Sequence, residues 1–406
     1  MLANRAGREY NRGTMEFEGE PMTEKLYELD SYCRQFTATV IECVPHEDGY
    51  AVRLNRTAFF PEGGGQAADP GRLGDAEVRD VQIVDGDIWH YVTEALSVGE
   101  EVEGALDWST RFARMQHHTA EHIVCSIANR WHGYNNVGFH LGSEDVTLDL
   151  DSELTREQID AIEDEANRVV VSNVAVTATI PSAEELAKAT YRSKKELEGD
   201  VRLVTIDGVD CCACCAPHVA HTGEVGLIKL LDFIRYKGGV RIHLLCGAAA
   251  LEDYRLRYAQ SAEISAKLSV KQNDLTRAVD RLLSDRDALK LALRAANRRI
   301  ADMQVAAVEP TDRPVYLTGD DWDTDTLRRV VNGLTERCGG LCAAYSGDNG
   351  VYQYVLGGTG DIKAATAQMN QALNGRGGGD HRQSQGRVQT TAEEIAAYWR
   401  DLGAAE

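Results

Sequence analysis

Two histidines stand one helical turn apart in the stretch MQHHTAEHIV, residues 115–124. Positions i and i+4 of a helix project from one face, so His118 and His122 can reach a single ion together. Alone the pair is weak, since two solvated histidines produce the same spacing. A metalloprotease helix needs glutamate directly after the first histidine, and Thr119 occupies that place. A deaminase site needs His-x-Glu followed later by Pro-Cys-x-x-Cys; here the order is HTAEH, and no proline precedes Cys211. The other half of a donor set lies far along the chain in CCACCAPHVAHTGEVG, residues 211–226. Cys214 and His218 form a Cys-x-x-x-His unit there. Two histidines from a helix with a cysteine and a histidine from a loop make a tetrahedral nitrogen and sulfur set, which suits zinc. Cys211 with Cys214 and Cys212 with Cys215 are also spaced Cys-x-x-Cys. A redox or purely structural cysteine cluster therefore competes, and Cys215 rivals Cys214 as the ligand.

These donors need elements to position them. A chain of 406 residues suits two to three domains. Residues 35–105 alternate short Val, Ile and Thr runs with Gly and Asp turns, the pattern of a small β-barrel or sandwich. A helix is predicted from about Trp108 to Trp131. Two further helices begin at the capping boxes Thr155–Gln158 and Ser182–Glu185. Strands are predicted at VRLVTIDG, GLIKLLDFIRY and VRIHLLCG. From Leu251 to Ile300 there is neither proline nor glycine, and Leu268, Leu275, Leu282 and Leu289 recur every seven residues, which predicts a coiled-coil or helical-hairpin seam. After Pro310 and Pro314 come strands at PVYLTG, CAAYSG and YQYVLGG, then a loop, NGRGGGDHRQSQGR.

The expected fold class is α+β: a disordered tail over 1–21, a barrel over 22–105, a zinc-bearing domain over 106–250, a helical linker over 251–308 and a small α/β domain over 309–406. No apolar run approaches the roughly 20 residues that span a bilayer, and the N-terminus has no apolar core of a signal peptide. Met15 and Met22 are both plausible starts. Ten cysteines, four of them within 211–215, fit metal binding in a reducing cytoplasm better than a disulfide framework. The net charge is −21, with 64 acidic against 43 basic residues, only ten of them lysine. That balance is expected of a salt-adapted, halophilic protein, because high salt screens the self-repulsion.

Taken together, HTAEH and the later C-x-x-x-H-V-x-x-T-G-E-V-G resemble the editing domain shared by alanyl-tRNA synthetases, threonyl-tRNA synthetases and free-standing AlaX proteins. LNRTAFFPEGGGQAADPG, with Thr57 through Gly71, is similar to the glycine-rich segment of the alanine branch; VGFHLGSEDVTLDLD, residues 137–151, is similar to a core stretch of the same domain. GRGGGDHRQSQG resembles the glycine-rich part of the C-terminal DHHA-type domain of alanyl-tRNA synthetase and long AlaX proteins. The likeness runs in order over roughly residues 22–390. Where the family commonly has Cys-Gly-Gly-Thr-His, this chain has Cys214-Cys215-Ala216-Pro217-His218, and Gln385-Gly386 is followed by Arg387 rather than by a longer glycine run.

The resemblance implies a trans-editing hydrolase that removes serine, and glycine as a second substrate, from mischarged tRNA(Ala). It implies one Zn2+ per chain on His118, His122, Cys214 and His218, with a zinc-bound water as the catalytic group and no side chain assigned to catalysis. Thr57, Gly64, Gly65 and Gln66 belong by the same resemblance at the substrate pocket, where a site built to pair with the serine hydroxyl would discriminate against alanine. Arg376, Gly377, Gly378, Gly379 and Arg382 are expected at tRNA, with Arg387 beside them. A homodimer through 268–300 and the C-terminal domain is the expected assembly, with no membrane partner. Two rivals stay open: a non-catalytic zinc-containing tRNA-binding module, and a threonyl-type editing domain. On this length a complete synthetase, with an aminoacylation domain ahead of the barrel, is not expected.

Overall fold

In a computed structural model of the chain, residues 22–142, 146–193, 201–348 and 350–404 are described. The expected tail, 1–21, lies outside them. The chain divides into two compact units, 1–260 and 261–406.

In the first unit, buried and more exposed residues alternate along the first half of β1 (Gln35–His46), where Phe36, Ala38 and Val40 face inward. β1, β2 (Gly49–Leu54), β3 (Gly71–Leu73), β4 (Ala76–Val84), β5 (Asp87–Val92) and β6 (Glu101–Leu106) close into a barrel in the order β1-β2-β5-β4-β3-β6. Closure leaves no sheet edge to cap. The barrel core includes Leu54, Phe59, Phe60, Leu73 and Ile88.

Asp107 caps the next element, α1 (Trp108–His132), by accepting from the Thr110 backbone N–H, and Gly133 ends it in the left-handed conformation at φ 74°. Nearly all of 115–128 is buried, because α1 crosses the middle of the unit. It packs on a sheet of β7 (Asn136–Leu141), β8 (Val146–Leu150), and two later strands, β12 (Ile228–Tyr236) and β13 (Gly239–Cys246), in the order β12-β13-β8-β7. α2 (Arg156–Ser172) opens at the predicted Thr155–Gln158 capping box, and the Ser182–Glu185 box opens a single turn over Ala183–Leu186. A small antiparallel sheet joins β9 (Val176–Thr179), β10 (Leu203–Ile206) and β11 (Asp210–Ala213).

A buried ion pair welds barrel to helix. Arg111 on α1 and Asp69 in the segment after the glycine run are both fully buried. The Arg111 guanidinium donates to Asp69, to the Ala58 carbonyl at 2.5 Å and to the Ser31 carbonyl at 3.1 Å. Asp69 also accepts from the Phe60 backbone N–H at 2.7 Å.

The helical stretch expected as a coiled-coil or helical-hairpin seam is two helices and not one. α3 (Gly247–Leu268) ends at Ser269, in the left-handed region at φ 54°, and α4 (Leu275–Ala307) starts after a short 3-10 turn. Leu268 and Leu275 therefore belong to different helices. The Val270 backbone N–H donates to the Ser265 carbonyl at 3.1 Å across the break, satisfying a carbonyl that the helix end frees. On α4, Leu282, Leu289, Leu293 and Ile300 are exposed.

The second unit is a five-stranded sheet. β14 (Val315–Thr318), β15 (Leu341–Asp348), β16 (Val351–Gly358), β18 (Gln383–Gln389) and β17 (Gly375–Gly379) lie in the order β14-β15-β16-β18-β17. α5 (Thr324–Thr335) packs with α4 residues on one face; α6 (Ile362–Ala372) and α7 (Ala392–Asp401) lie on the other. The glycine- and arginine-rich stretch expected as a loop is thus mostly two strands. A Cβ on Gly377 would stand 2.5 Å from both the Gly386 Cα and the Tyr354 hydroxyl, so its glycine serves close strand packing.

Replacing Arg111 with methionine keeps bulk but strands a buried carboxylate. Chemical denaturation of Arg111→Met is expected to show a loss of about 3–5 kcal/mol.

Candidate metal centre

His118 and His122 come from α1, Cys214 and His218 from the loop after β11. One donor atom from each lies within 4.8 Å of all the others. His118 Nε2 is 3.5 Å and His218 Nε2 3.4 Å from Cys214 Sγ. Cys215 is exposed and outside the group.

The outer nitrogen of each imidazole faces a polar side chain, in hydrogen bonds at His118 and His218 and in an ion-pair contact at His122. His118 Nδ1 is 2.9 Å from Gln66 Oε1, His218 Nδ1 is 3.0 Å from Thr119 Oγ1, and His122 Nδ1 is 3.3 Å from Asp210 Oδ2. Partners of this kind fix ring orientation and tautomer, turning Nε2 inward. Burial pushes His218 down to about 3, against the pull of Cys214, so it is neutral and competent to ligate. Burial would raise the Cys214 thiol, but His118 and the other two histidines outweigh it and hold it well below its ordinary value. Three imidazoles and a thiolate match the donor chemistry of a tetrahedral zinc site.

His122, Asp210 and Cys212 form a second close trio. Its chemistry favours support over a second metal. Arg192 binds both Asp210 oxygens at 2.7 Å, so a side-chain cation already neutralises the carboxylate. Burial raises the Cys212 thiol, which keeps it protonated. Burial would also raise Asp210, but His122 and Arg192 overcome it and hold the carboxyl at about 2.

The loop backbone is braced from outside. Arg202 donates to the carbonyls of Cys214 at 3.0 Å and Ala216 at 2.9 Å. The Tyr32 hydroxyl accepts from the Ala220 N–H at 2.8 Å and donates to Glu224 at 2.7 Å.

The remaining expected residues are spread more widely. Gly64 and Gly65 form the turn of a tight Gly63–Gln66 bridge, with φ of 62° and 86°. The Gly65 carbonyl accepts from the Leu141 N–H at 2.7 Å, and a Cβ on Gly65 would stand 2.1 Å from the Phe139 carbonyl oxygen. Phe139 in turn lies 5.2 Å from the His118 ring. Gln66 is 1% exposed. If His118 offers Nε2 to a metal, its proton is on Nδ1, so Gln66 must accept with its oxygen; Gln66 Nε2 is then buried with no hydrogen-bond partner. Thr57 is fully buried in the barrel, outside the four-donor group, with its hydroxyl 2.8 Å from His90 Nε2. Cys214 and Ala216 pack against the same barrel cluster as Ala58 and Phe59. Arg376, Gly377, Gly378, Gly379 and Arg382 lie in the second unit and are exposed. Gly378 and Arg382 line an open cleft of about 730 Å3 with Arg328, Gln383 and Gln385.

Thr119, Asp210, Arg192, Asp69 and Arg111 were not singled out from sequence. Thr119 sits inside HTAEH and Asp210 directly before Cys211, but neither position names its partner.

Residues 201–243 match the family described as the threonyl and alanyl tRNA synthetase second additional domain. The chain is 26% identical over 396 residues to alanyl-tRNA editing protein Aarsd1 of Danio rerio, covering 92% of this chain and 96% of that one. It is 26% identical over 399 residues to alanyl-tRNA editing protein AlaX-L of Pyrococcus horikoshii, again covering 92% and 96%. The chain is a homologue of the AlaX-L and Aarsd1 alanyl-tRNA editing proteins. It is also 30% identical over 331 residues to the alanine–tRNA ligase of Ignicoccus hospitalis, covering 78% of this chain but 36% of the ligase. The domain match alone names both threonyl and alanyl enzymes; the relatives matched along nearly their whole length are alanyl.

Metal analysis is expected to find about one zinc per chain. Cys214→Ala should abolish it and Cys215→Ala should not. Asp210→Ala is expected to weaken zinc binding about 10–100-fold, read by competition with a chelator.

Proposed function

We infer that this protein is a zinc-dependent aminoacyl-tRNA deacylase that clears serine, and glycine as a second substrate, from mischarged tRNA(Ala). The observation carrying the inference is the four-donor group in a chain homologous, over nearly its whole length, to alanyl-tRNA editing proteins. His118, His122, Cys214 and His218 would hold the metal, which supplies Lewis acidity toward an ester hydrolysis.

The reaction adds water to the aminoacyl carbonyl carbon, breaks its bond to the ribose oxygen, and returns a proton to that oxygen. The chain's own residues provide the setting. Gln66 holds His118 through its oxygen, and its unpaired amide nitrogen would be a donor for a substrate oxygen. Arg202 and Tyr32 keep the 214–220 loop in place. Thr57 is the residue we assign to the substrate side chain, together with the Gly64–Gly65 turn that lets the backbone lie close.

For tRNA, the hairpin of β17 and β18 is the surface we favour. Arg376 and Arg387 stand directly opposite each other, and like charges in that position destabilise a sheet unless an anion lies between them. Arg382 and Arg328 line the adjoining cleft. Contacts of this kind would fall off with salt, so the acidic chain would rely more on shape and base contacts. The exposed leucines of α4 motivate a dimer through 268–300 and the C-terminal domain. No helix among the described residues is long and apolar enough to cross a membrane. We assign the protein to the cytoplasm on the ground of its substrate, since charged tRNA is found there.

One observation favours a second reading. Four protein donors complete a tetrahedral set, as in structural zinc sites, which fits a non-catalytic tRNA-binding module. Deacylation of Ser-tRNA(Ala) and Ala-tRNA(Ala) by the full chain, with and without chelator, separates the two. We expect serine release that chelator abolishes and metal restores; tRNA binding without serine release would mean the module instead. Sedimentation of Leu282→Glu/Leu289→Glu is expected to show a smaller species than wild type; an equal size would remove the seam from the assembly.

A further inference from the structure

His90 is fully buried, and nothing in the chemistry above uses it. It projects from β5 into the barrel, 5.6 Å from the Phe59 ring. Its Nδ1 is 3.1 Å from the Val52 carbonyl oxygen and its Nε2 is 2.8 Å from Thr57 Oγ1. A carbonyl oxygen only accepts, so His90 Nδ1 must carry a proton. Burial pushes the imidazole down to about 4, against the Val52 contact that raises it, so the ring is neutral near pH 7 and Nε2 is a bare lone pair. The Thr57 hydroxyl must then donate to it. Thr57 Oγ1 also accepts from the Phe59 backbone N–H at 3.1 Å. A hydroxyl has one proton and two lone pairs. The proton and one lone pair are committed, and a single acceptor site is left.

We propose that His90 sets the polarity of Thr57, so that Thr57 meets the aminoacyl side chain only as a hydrogen-bond acceptor and favours serine over alanine, glycine having no side chain for this contact to read. The proposal rests on the reading of Thr57 as the residue at the substrate side chain. Serine has a donor and alanine has none. Shape alone separates them poorly, because a pocket that admits serine also admits the smaller alanine. A threonine free to rotate would accept or donate, and would welcome side chains that bring only a lone pair. With the Val52 carbonyl fixing the imidazole tautomer and the imidazole fixing the hydroxyl, that freedom is gone. His90 is a positioning residue in this scheme, acting through Thr57.

The test uses the full-length zinc-loaded protein and tRNA(Ala) charged with serine, alanine or β-fluoroalanine. Fluorine is close to a hydroxyl in size but has no proton to donate. Wild type is expected to cleave the β-fluoroalanyl ester at about the alanyl rate; cleavage at the seryl rate would mean that shape decides, and would overturn the proposal. His90→Leu leaves the Thr57 hydroxyl free to rotate out of its accepting pose, and is expected to lower the seryl-to-alanyl ratio by up to about tenfold, the scale of one buried hydrogen bond. His90→Gln keeps an acceptor and should retain more of the ratio. Zinc content and thermal unfolding of both variants report whether the barrel is intact. Equal falls in both rates, or an unchanged ratio in folded His90→Leu, would overturn the proposal. Thr57→Val separates this from its premise. A ratio unchanged in Thr57→Val removes Thr57 from the substrate, whereas a ratio lowered in Thr57→Val but not in His90→Leu removes only the role of His90.

Discussion

The pair of Arg111 and Asp69 organises the first unit. Each is fully buried, and an isolated charge in that position would be prohibitively costly. Their mutual dependence forces the segment 57–70 onto the flank of α1. Helical geometry does the rest. Arg111 and His118 are seven residues, about two turns, apart and share a face. Asp69 meets Arg111, the Ala68 carbonyl accepts from Arg114, and Gln66 meets His118. The glycine-rich segment therefore runs antiparallel to α1. The contact that secures its end also sets the outer contact of His118, one of the four clustered donors.

From there the centre is assembled by indirect support. Each histidine is aimed by a residue from a different part of the unit: Gln66 from the segment after the barrel's second strand, Thr119 from α1 itself, Asp210 from β11. Arg192 neutralises Asp210 and keeps it a support for His122. The Cys214–His218 loop has Cys215, Ala216 and Pro217 in place of the Gly-Gly-Thr of the pattern it resembles. Rigidity there is matched by Arg202, which binds two of the loop's carbonyls, and by Tyr32 just beyond it.

The second unit solves a different problem. Its edge hairpin carries glycines at Gly377 and Gly386 because the Tyr354 hydroxyl crowds both. A Cβ on Gly378 would meet only open space, and Gly378 lines the cleft. Strand packing accounts for the first two glycines and not for the third. On a chain of net charge −21, Arg328, Arg376, Arg382 and Arg387 form a local exception on or beside this hairpin.

Much was legible in the linear chain because it depends on near neighbours. The i and i+4 spacing of His118 and His122, the capping boxes at Thr155 and Ser182, and the Val, Ile and Thr runs between turns over 35–105 each state a local geometry, and each element formed where its pattern lies. The donor residue types were also local facts. Where local pattern went astray, tertiary or backbone effects overrode it: the heptad leucines run through a break that Ser269 makes by leaving the helical region, and a glycine-rich stretch became strands because β16 offered a partner. The choice of Cys214 over Cys215 in the four-donor group, the support of three imidazoles by Gln66, Thr119 and Asp210, and the pairing of Arg111 with Asp69 join residues up to 99 apart. Spacing carries no information about such contacts. Only burial makes them compulsory, since a charge or polar group taken out of water must find a partner wherever the fold has brought one.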